Sequence, residues 1–315
     1  MMDWTDRHCR YFLRLLSPRA RLYTEMVTAA AVVRGDAGRL LRFDPAEQPV
    51  ALQLGGSDPG LMAAAARVGA DLGYAEININ IGCPSDKVQS GQFGACLMSQ
   101  PGKVAACVRA MQAATDVPIT VKTRIGIDDH DSDEFLREFI EPVLKAGCDT
   151  FVVHARKAIL AGLSPKDNRS VPELNYGRVH RLKRDFPQLT IVLNGGITAI
   201  DQAMQHLRHV DGVMIGREAY QNPWILVELE WALAGAGQKP PSRQDVAEGM
   251  LPYIERELAA GTELKHITRH MLGLFAGKAG ARAWRRHLSE HAHRSGAGVE
   301  VVEQALARLP MAASS

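Results

Sequence analysis

A (β/α)₈ barrel followed by a small helical domain is the fold class the sequence predicts. Short strand-like runs alternate with helical patterns as far as residue 235, and repeated βα units imply parallel strands with right-handed crossovers. The β signals then stop at a Gly/Pro-rich break, 236–241, beyond which only helical patterns occur. Polar residues recur at the C-terminal ends of the strand-like runs, where barrels of this class place their chemistry. The length of 315 residues suits one such barrel, which alone takes about 250, plus a small addition.

The strand-like runs are 22–27, 49–55, 75–81, 119–124, 150–154, 190–194 and 212–216. Helical patterns cover 7–16, 60–68, 104–113, 134–146, 176–185, 200–207 and 224–234. Asp58-Pro59 reads as a capping residue followed by proline in the first helical position. Seven runs are one short of a closed barrel, and a helix comes first. The first strand is therefore expected before Met1, with the true N-terminus missing from this sequence and a notch between 22–27 and 212–216. Residues 1–235 are expected to form the barrel domain and 242–311 the helical domain. In the latter, 245–258 and 264–275 read as amphipathic helices, with Pro252 kinking the first. A third helix covers 281–291, where Ala281, Trp284 and Leu288 share a face and Arg282, Arg285 and Arg286 fan beside it.

Composition excludes several classes. With 46% apolar and 23% charged residues the chain is ordinary for a soluble globular enzyme. No apolar run approaches the roughly 18 residues of a membrane span. The polar start, Met1-Met2-Asp3-Trp4-Thr5-Asp6-Arg7, is no signal peptide. Five cysteines, Cys9, Cys83, Cys96, Cys107 and Cys148, show no CxxC spacing, and their odd number argues for a reducing cytoplasm. No metal site and no stable protein partner are implied. The formal charge is only +2, yet 265–294 holds seven cations (Lys265, Arg269, Lys278, Arg282, Arg285, Arg286, Arg294) against Glu290 alone. Such clustering reads either as a solvated basic helix face or as a site for a polyanion.

The strand ends carry Gln53, Asn78, Asn80, Lys122, His154 and Asn194. Any one alone reads as a satisfied core residue. A ring of them on five strands calls for a polar ligand across the barrel mouth, because buried polar groups are costly without partners. Asn194-Gly195-Gly196 and Gly216-Arg217 follow the last two strands, where such barrels bind phosphate. A phosphate at one end and polar groups across the mouth suit flavin mononucleotide (FMN). No GxGxxG follows a strand, which disfavours a dinucleotide site. Cys83 follows the strand 75–81 on a loop stiffened by Pro84. Reduction of a uracil C5=C6 bond needs a hydride at C6 and a proton at C5, and a thiol of ordinary pKa, about 8.5, can serve as the acid. The other four cysteines suit small buried hydrophobes.

The motif Asn80-Ile81-Gly82-Cys83-Pro84-Ser85 resembles the tRNA-dihydrouridine synthases. So do Met2-Asp3-Trp4-Thr5-Asp6 at the start, Gln53-Leu54-Gly55-Gly56, Val121-Lys122-Thr123-Arg124, His154-Ala155-Arg156-Lys157, Asn194-Gly195-Gly196 and Gly216-Arg217. The match runs in order over nearly the whole chain. The start, the loop Ser164-Pro165-Lys166-Asp167-Asn168-Arg169 and Gly280-Ala281-Arg282-Ala283-Trp284-Arg285-Arg286 further resemble the A-type subfamily, which acts on D-loop uridines at positions 20 and 20a.

This resemblance implies that Cys83 is the proton donor and that Asn80 contacts the tRNA near the target base. It implies that Met1, Met2, Gln53, Lys122, His154, Asn194, Gly195, Gly196, Gly216 and Arg217 bind FMN. Lys166, Arg169, Arg282 and Arg285 would bind tRNA, and NADPH would reduce the flavin. A strand ending in Ala-Pro precedes the Met-Met pair in that family and is not in this sequence. The residues alone agree on the RNA side, since 158–175 is a long connection carrying Lys166 and Arg169, and a uridine in folded tRNA must be extruded to reach a barrel mouth. An FMN-dependent reductase of a free pyrimidine or other small enone is the enzymatic alternative, though it gives the basic helices no role. An RNA-binding protein without catalysis would need the basic helices but not Cys83, Lys122 and His154 together.

Overall fold

A computed structural model describes residues 1–234 and 240–310. The chain divides into two compact units: Met1, Tyr23–Phe43 and Gln48–Gly216 form the first, and Met2–Leu22, Asp44–Glu47 and Arg217–Ser315 the second. The first unit is built on a sheet of seven strands in consecutive order: β1 (Leu22–Thr28), β2 (Val50–Gly55), β3 (Glu76–Ile81), β4 (Ile119–Arg124), β5 (Thr150–His154), β6 (Thr190–Asn194) and β7 (Gly212–Met214). From β2 onward every neighbouring pair is parallel, and β1 and β7 are the two edges of the open sheet. Alpha/beta order and parallel pairing agree with the expected barrel class.

Sequence alternation explains how the sheet carries chemistry. In β3, Ile77, Ile79 and Ile81 are fully buried, whereas Glu76, Asn78 and Asn80 alternate with them and so lie on the opposite face. Register extends that polar face sideways, pairing Gln53 with Asn78, Asn78 with Thr120, and Asn80 with Lys122. Helices cover the outer face and start where the sequence supplies caps. Asp58 accepts from the Leu61 N–H ahead of Pro59–Asp71, Ser132 from Phe135 N–H ahead of Asp133–Lys145, and Asn175 from Arg178 N–H ahead of Tyr176–Asp185.

The second unit is helical. It comprises Arg7–Leu16, Arg217–Gln221, Trp224–Ala234, Arg243–Gly249, Leu251–Ala259, Leu264–Thr268, Ala281–His291 and Glu300–Ala307. Its buried polar contacts bring distant segments together. Arg10 Nε donates to Glu47 Oε2 at 2.6 Å with both side chains almost fully buried, and Trp284 Nε1 donates to the Met271 carbonyl. The break between the compact units falls after Gly216, not in the expected linker 236–241. The first helix and Trp224–Ala234 thus group with the C-terminal helices, joined by bonds such as Ser17 to Glu230. Residues 236–239 of that linker, and Met311 at the end of the expected helical domain, lie outside the described residues.

Two expected helices differ. Pro252 does not kink one helix over 245–258; the chain forms two helices that part at Met250, with Pro252 in the first turn of the second, where its missing N–H costs nothing. The expected helix 264–275 ends at Thr268 and continues as turns. At Gly273 an added Cβ would lie 2.5 Å from the Gln221 carbonyl, a close backbone approach that only glycine allows. No helix among the described residues is long and apolar enough to cross a membrane.

Candidate active site

The residues expected at the strand ends meet in the first unit. Asn80 Oδ1 accepts from the backbone N–H groups of Gly82 and Cys83, at 3.1 and 3.0 Å, so the last polar residue of β3 shapes the loop that presents Cys83. Asn80 Nδ2 donates to Gln53 Oε1 at 2.7 Å. The Cys83 thiol is half-buried, 3.5 Å from Ser85 Oγ. Its carbonyl accepts from Ala95 N–H, and a Cβ at Gly94 would meet that carbonyl at 2.6 Å, so Gly94, with φ +76°, permits the close return of the chain. Cys9, Cys107 and Cys148 are buried, and burial pushes all three thiols up, to about 11 for Cys107 and about 12 for Cys148. Cys96 is only half-buried, unlike the small buried hydrophobe expected, and its thiol donates to the Phe93 carbonyl.

Lys122 Nζ donates to Asn194 Oδ1 at 3.1 Å, and Asn194 Nδ2 donates to the Met214 carbonyl, linking the ends of β4, β6 and β7. Burial, with Arg124 alongside, pushes the Lys122 ammonium down to about 8. The glycine pair after β6 is left-handed, with φ +118° at Gly195 and +70° at Gly196. A Cβ at Gly195 would come within 2.5 Å of His154 Cδ2, so the imidazole rests directly on that backbone. The Tyr176 hydroxyl donates to the Gly195 carbonyl at 2.9 Å. Met1 Sδ lies 3.9 Å from the position a Cβ would take at Gly216. A left-handed glycine pair packed on an imidazole, beside a cation and two carboxamides, fits a phosphorylated ring ligand with several hydrogen-bonding edges.

Lys166 and Arg169 are exposed on the long connection after β5, at the short helical turn Asp167–Arg169. Met2, Arg217, Arg282 and Arg285 belong to the second unit. Arg282, Arg285 and Arg286 are exposed on Ala281–His291, whose Trp284 and Leu288 are buried.

Sequence reasoning assigned no role to Arg124, which is nearly buried. Its Nε donates to the Gly82 carbonyl at 2.9 Å, and its Nη1 to the carbonyls of Lys157 at 3.0 Å and Asn168 at 2.9 Å. It thus joins the Cys83 loop to the connection that carries Lys166 and Arg169. Burial, with Arg156 and Arg169 nearby, pushes its guanidinium down to about 10. The signal for Arg124 was available: Thr120, Lys122 and Arg124 alternate along β4 and share a face.

Comparison with known proteins decides the family. The dihydrouridine synthase (Dus) family model matches residues 1–310. The chain belongs to the dihydrouridine synthase family. Relatives named tRNA-dihydrouridine(20/20a) synthase include one from Vibrio cholerae, 59% identical over 311 residues, 98% of this chain and 95% of the relative. Those from Shewanella oneidensis and Salmonella typhimurium are 58% and 59% identical, over 97% of this chain and 91% and 92% of theirs. A dihydrouridine synthase is an oxidoreductase that acts on uridine in tRNA.

Proposed function

We propose that this dihydrouridine synthase reduces the C5–C6 bond of D-loop uridines at tRNA positions 20 and 20a, with FMN as bound cofactor and NADPH as reductant. The half-buried Cys83, held by Asn80 at the end of β3 among Gln53 and Lys122, carries the reading. Gln53, Lys122, His154, Asn194, Gly195, Gly196 and Gly216, with Met1, Met2 and Arg217, would hold the flavin.

Reduction adds a hydride at C6 and a proton at C5, and FMN, once reduced by NADPH, supplies the hydride. Cys83 gives its proton to C5, and the thiolate left behind regains one from solvent. Lys122 offers a cation whose one hydrogen bond among the described residues goes to Asn194, leaving donors for an electron-rich ligand edge. Asn80 has one amide hydrogen beyond its bond to Gln53 and can offer it to the target base.

The tRNA is gripped by its phosphates. Lys166 and Arg169 on the connection after β5, and Arg282 and Arg285 on Ala281–His291, are exposed cations of the kind that displace counterions. The helical unit would then share RNA binding with the connection after β5, and an enzyme of tRNA is expected to work in the cytoplasm. Cys83→Ala tests the assignment. It should keep FMN and still be reduced by NADPH, yet form almost no dihydrouridine by mass spectrometry of unmodified tRNA. Near-normal product would refute the role of Cys83, and equal turnover of free uridine would favour a small-molecule reductase.

A further inference from the structure

Six side chains on four adjacent strands form one unbroken hydrogen-bond chain through the first unit. It begins at the Cys83 loop, where the N–H groups of Gly82 and Cys83 donate to Asn80 Oδ1. Asn80 Nδ2 donates to Gln53 Oε1 at 2.7 Å, and Gln53 Nε2 to Asn78 Oδ1 at 2.9 Å. Asn78 Nδ2 donates to Thr120 Oγ1 at 2.8 Å, and the Thr120 hydroxyl to Glu76 Oε1 at 2.6 Å. The Tyr23 hydroxyl also donates to Glu76 Oε1, at 2.8 Å. Glu76, Asn78 and Thr120 are almost fully buried. Glu76 opens β3 and Ile81 closes it, roughly 16 Å further along an extended strand.

From the Cys83 loop to Glu76 every link points the same way, and those two ends dictate why. A backbone N–H can only donate, and a carboxylate can only accept. Each carboxamide between them accepts on one side and donates on the other, and the Thr120 hydroxyl does likewise. Turning any one carboxamide over would set oxygen against oxygen on one side and N–H against N–H on the other. Such mismatches are expensive where water does not reach. The donor end sets the direction of Asn80, and the acceptor end with its hydroxyl link gives each carboxamide behind it a partner, so that Asn80 is held from both sides.

We infer that Glu76 and Thr120 are positioning residues for the proton donor, fixing the orientation of Asn80 and, through its carbonyl oxygen, the backbone that presents Cys83. This rests on the reading of Cys83 as the acid. Neither residue is among those placed at the flavin or the tRNA. Their influence passes through Asn78, Gln53 and Asn80.

The test compares Thr120→Val, which keeps the shape and loses the hydroxyl, with Thr120→Ser, which keeps the hydroxyl, in the full-length flavin-loaded enzyme. Dihydrouridine formation is followed in single turnovers with unmodified tRNA, alongside flavin content and NADPH consumption without tRNA. Thr120→Val should slow product formation about five-fold or more, the factor for losing one hydrogen bond of ordinary net worth. The KM for tRNA should hold steady, and Thr120→Ser should restore the rate. In an Asn80→Ala background, Thr120→Val should add little, because both act on the same link.

Equal rates for Val and Ser, or losses that multiply with Asn80→Ala, would overturn the inference. So would a matching fall in NADPH consumption without tRNA, which would locate the damage at the flavin through Gln53. Should Thr120→Val fail to hold flavin, Glu76→Gln and Glu76→Met ask the question from the far end. The Gln oxygen can still accept from Thr120 and Met cannot, so Met alone should be slow, and equal rates would again refute the chain. Cys83→Ala, run in parallel, separates the two readings. Product formed without the thiol would sink the acid assignment and this inference together. An inactive Cys83→Ala beside a normal Thr120→Val would sink this inference alone.

Discussion

Replacing Lys122 by Met should make the flavin-free protein more stable at neutral pH while loosening FMN. Burial beside Arg124 pushes the ammonium from its ordinary 10.5 down to about 8. One pKa unit corresponds to about 1.4 kcal/mol, so keeping Lys122 charged in the fold costs about 3 kcal/mol. Its hydrogen bond to Asn194 returns about 1 kcal/mol. The variant should therefore gain about 2 kcal/mol. The pH dependence follows from the direction of the shift. Folded Lys122 binds its proton more weakly than the unfolded chain does, so between about pH 8 and 10.5 the unfolded state holds more protons, and stability rises with pH across that window. The advantage of Lys122→Met is full below pH 8, shrinks above it, and ends near pH 10.5 as a small deficit from the lost hydrogen bond. Urea unfolding of both flavin-stripped proteins at about pH 7, 8.5 and 10 measures the difference. A gap that stays constant with pH, or a variant less stable at neutral pH, would refute the reasoning.

Three further outcomes follow from the same geometry. His154→Ala should purify with less flavin, because the imidazole packs against Gly195 at the expected phosphate turn; full flavin at wild-type affinity would place the cofactor elsewhere. Gly195→Ala forces a side chain onto a φ of +118° and within 2.5 Å of His154, so it should cost roughly 1–3 kcal/mol and weaken FMN further, checked by thermal unfolding and flavin titration. Arg282→Ala with Arg285→Ala should weaken tRNA binding and lower the slope of log affinity against log salt by about 1.5–2, leaving NADPH oxidation without tRNA unchanged; an unaltered slope would mean that neither arginine neutralises a phosphate.

The strands were legible in the sequence because each is short, β-branched and bounded by turns; β4, β5 and β6 have the expected limits. The helices Arg7–Leu16, Tyr176–Asp185 and Trp224–Ala234 were equally plain. Less legible were elements whose ends depend on contacts far away in sequence. Met271, Leu274 and Phe275 have helical spacing, yet Gly273 must pass against the Gln221 carbonyl, and Gly277 and Gly280 take positive φ, so the segment turns. The short helices Ala29–Arg34 and Ala37–Leu40 were missed because each is too brief to show a period. At the site, Cys83, Gln53, Lys122, His154 and Asn194 could be picked out one by one as polar strand ends. That Asn80 shapes the Cys83 loop, or that Glu76 lies on one hydrogen-bond chain with it, depends on the register of β2, β3 and β4, which no single segment encodes.

The distribution of charge at the strand ends gives the site its logic. Lys122 and Arg124 are held inside the first unit, and their hydrogen bonds go to a carboxamide and to main-chain carbonyls instead of a carboxylate. Burial lowers both affinities for protons. A carboxylate partner would relieve that cost but would also neutralise the field. Neutral partners fix the cations in place and leave their charge available to an anionic or electron-rich ligand. Such a ligand then gains electrostatic energy that the empty protein does not already possess, and its binding stabilises the fold by the same amount. Arg124 extends this economy to the two loops. Its guanidinium, bonded to Gly82 on one side and to Lys157 and Asn168 on the other, holds the Cys83 loop and the Lys166–Arg169 connection by a single group. Displacement of either loop strains bonds to the same side chain, so Cys83 and the exposed cations of that connection are set by one anchor at the end of β4.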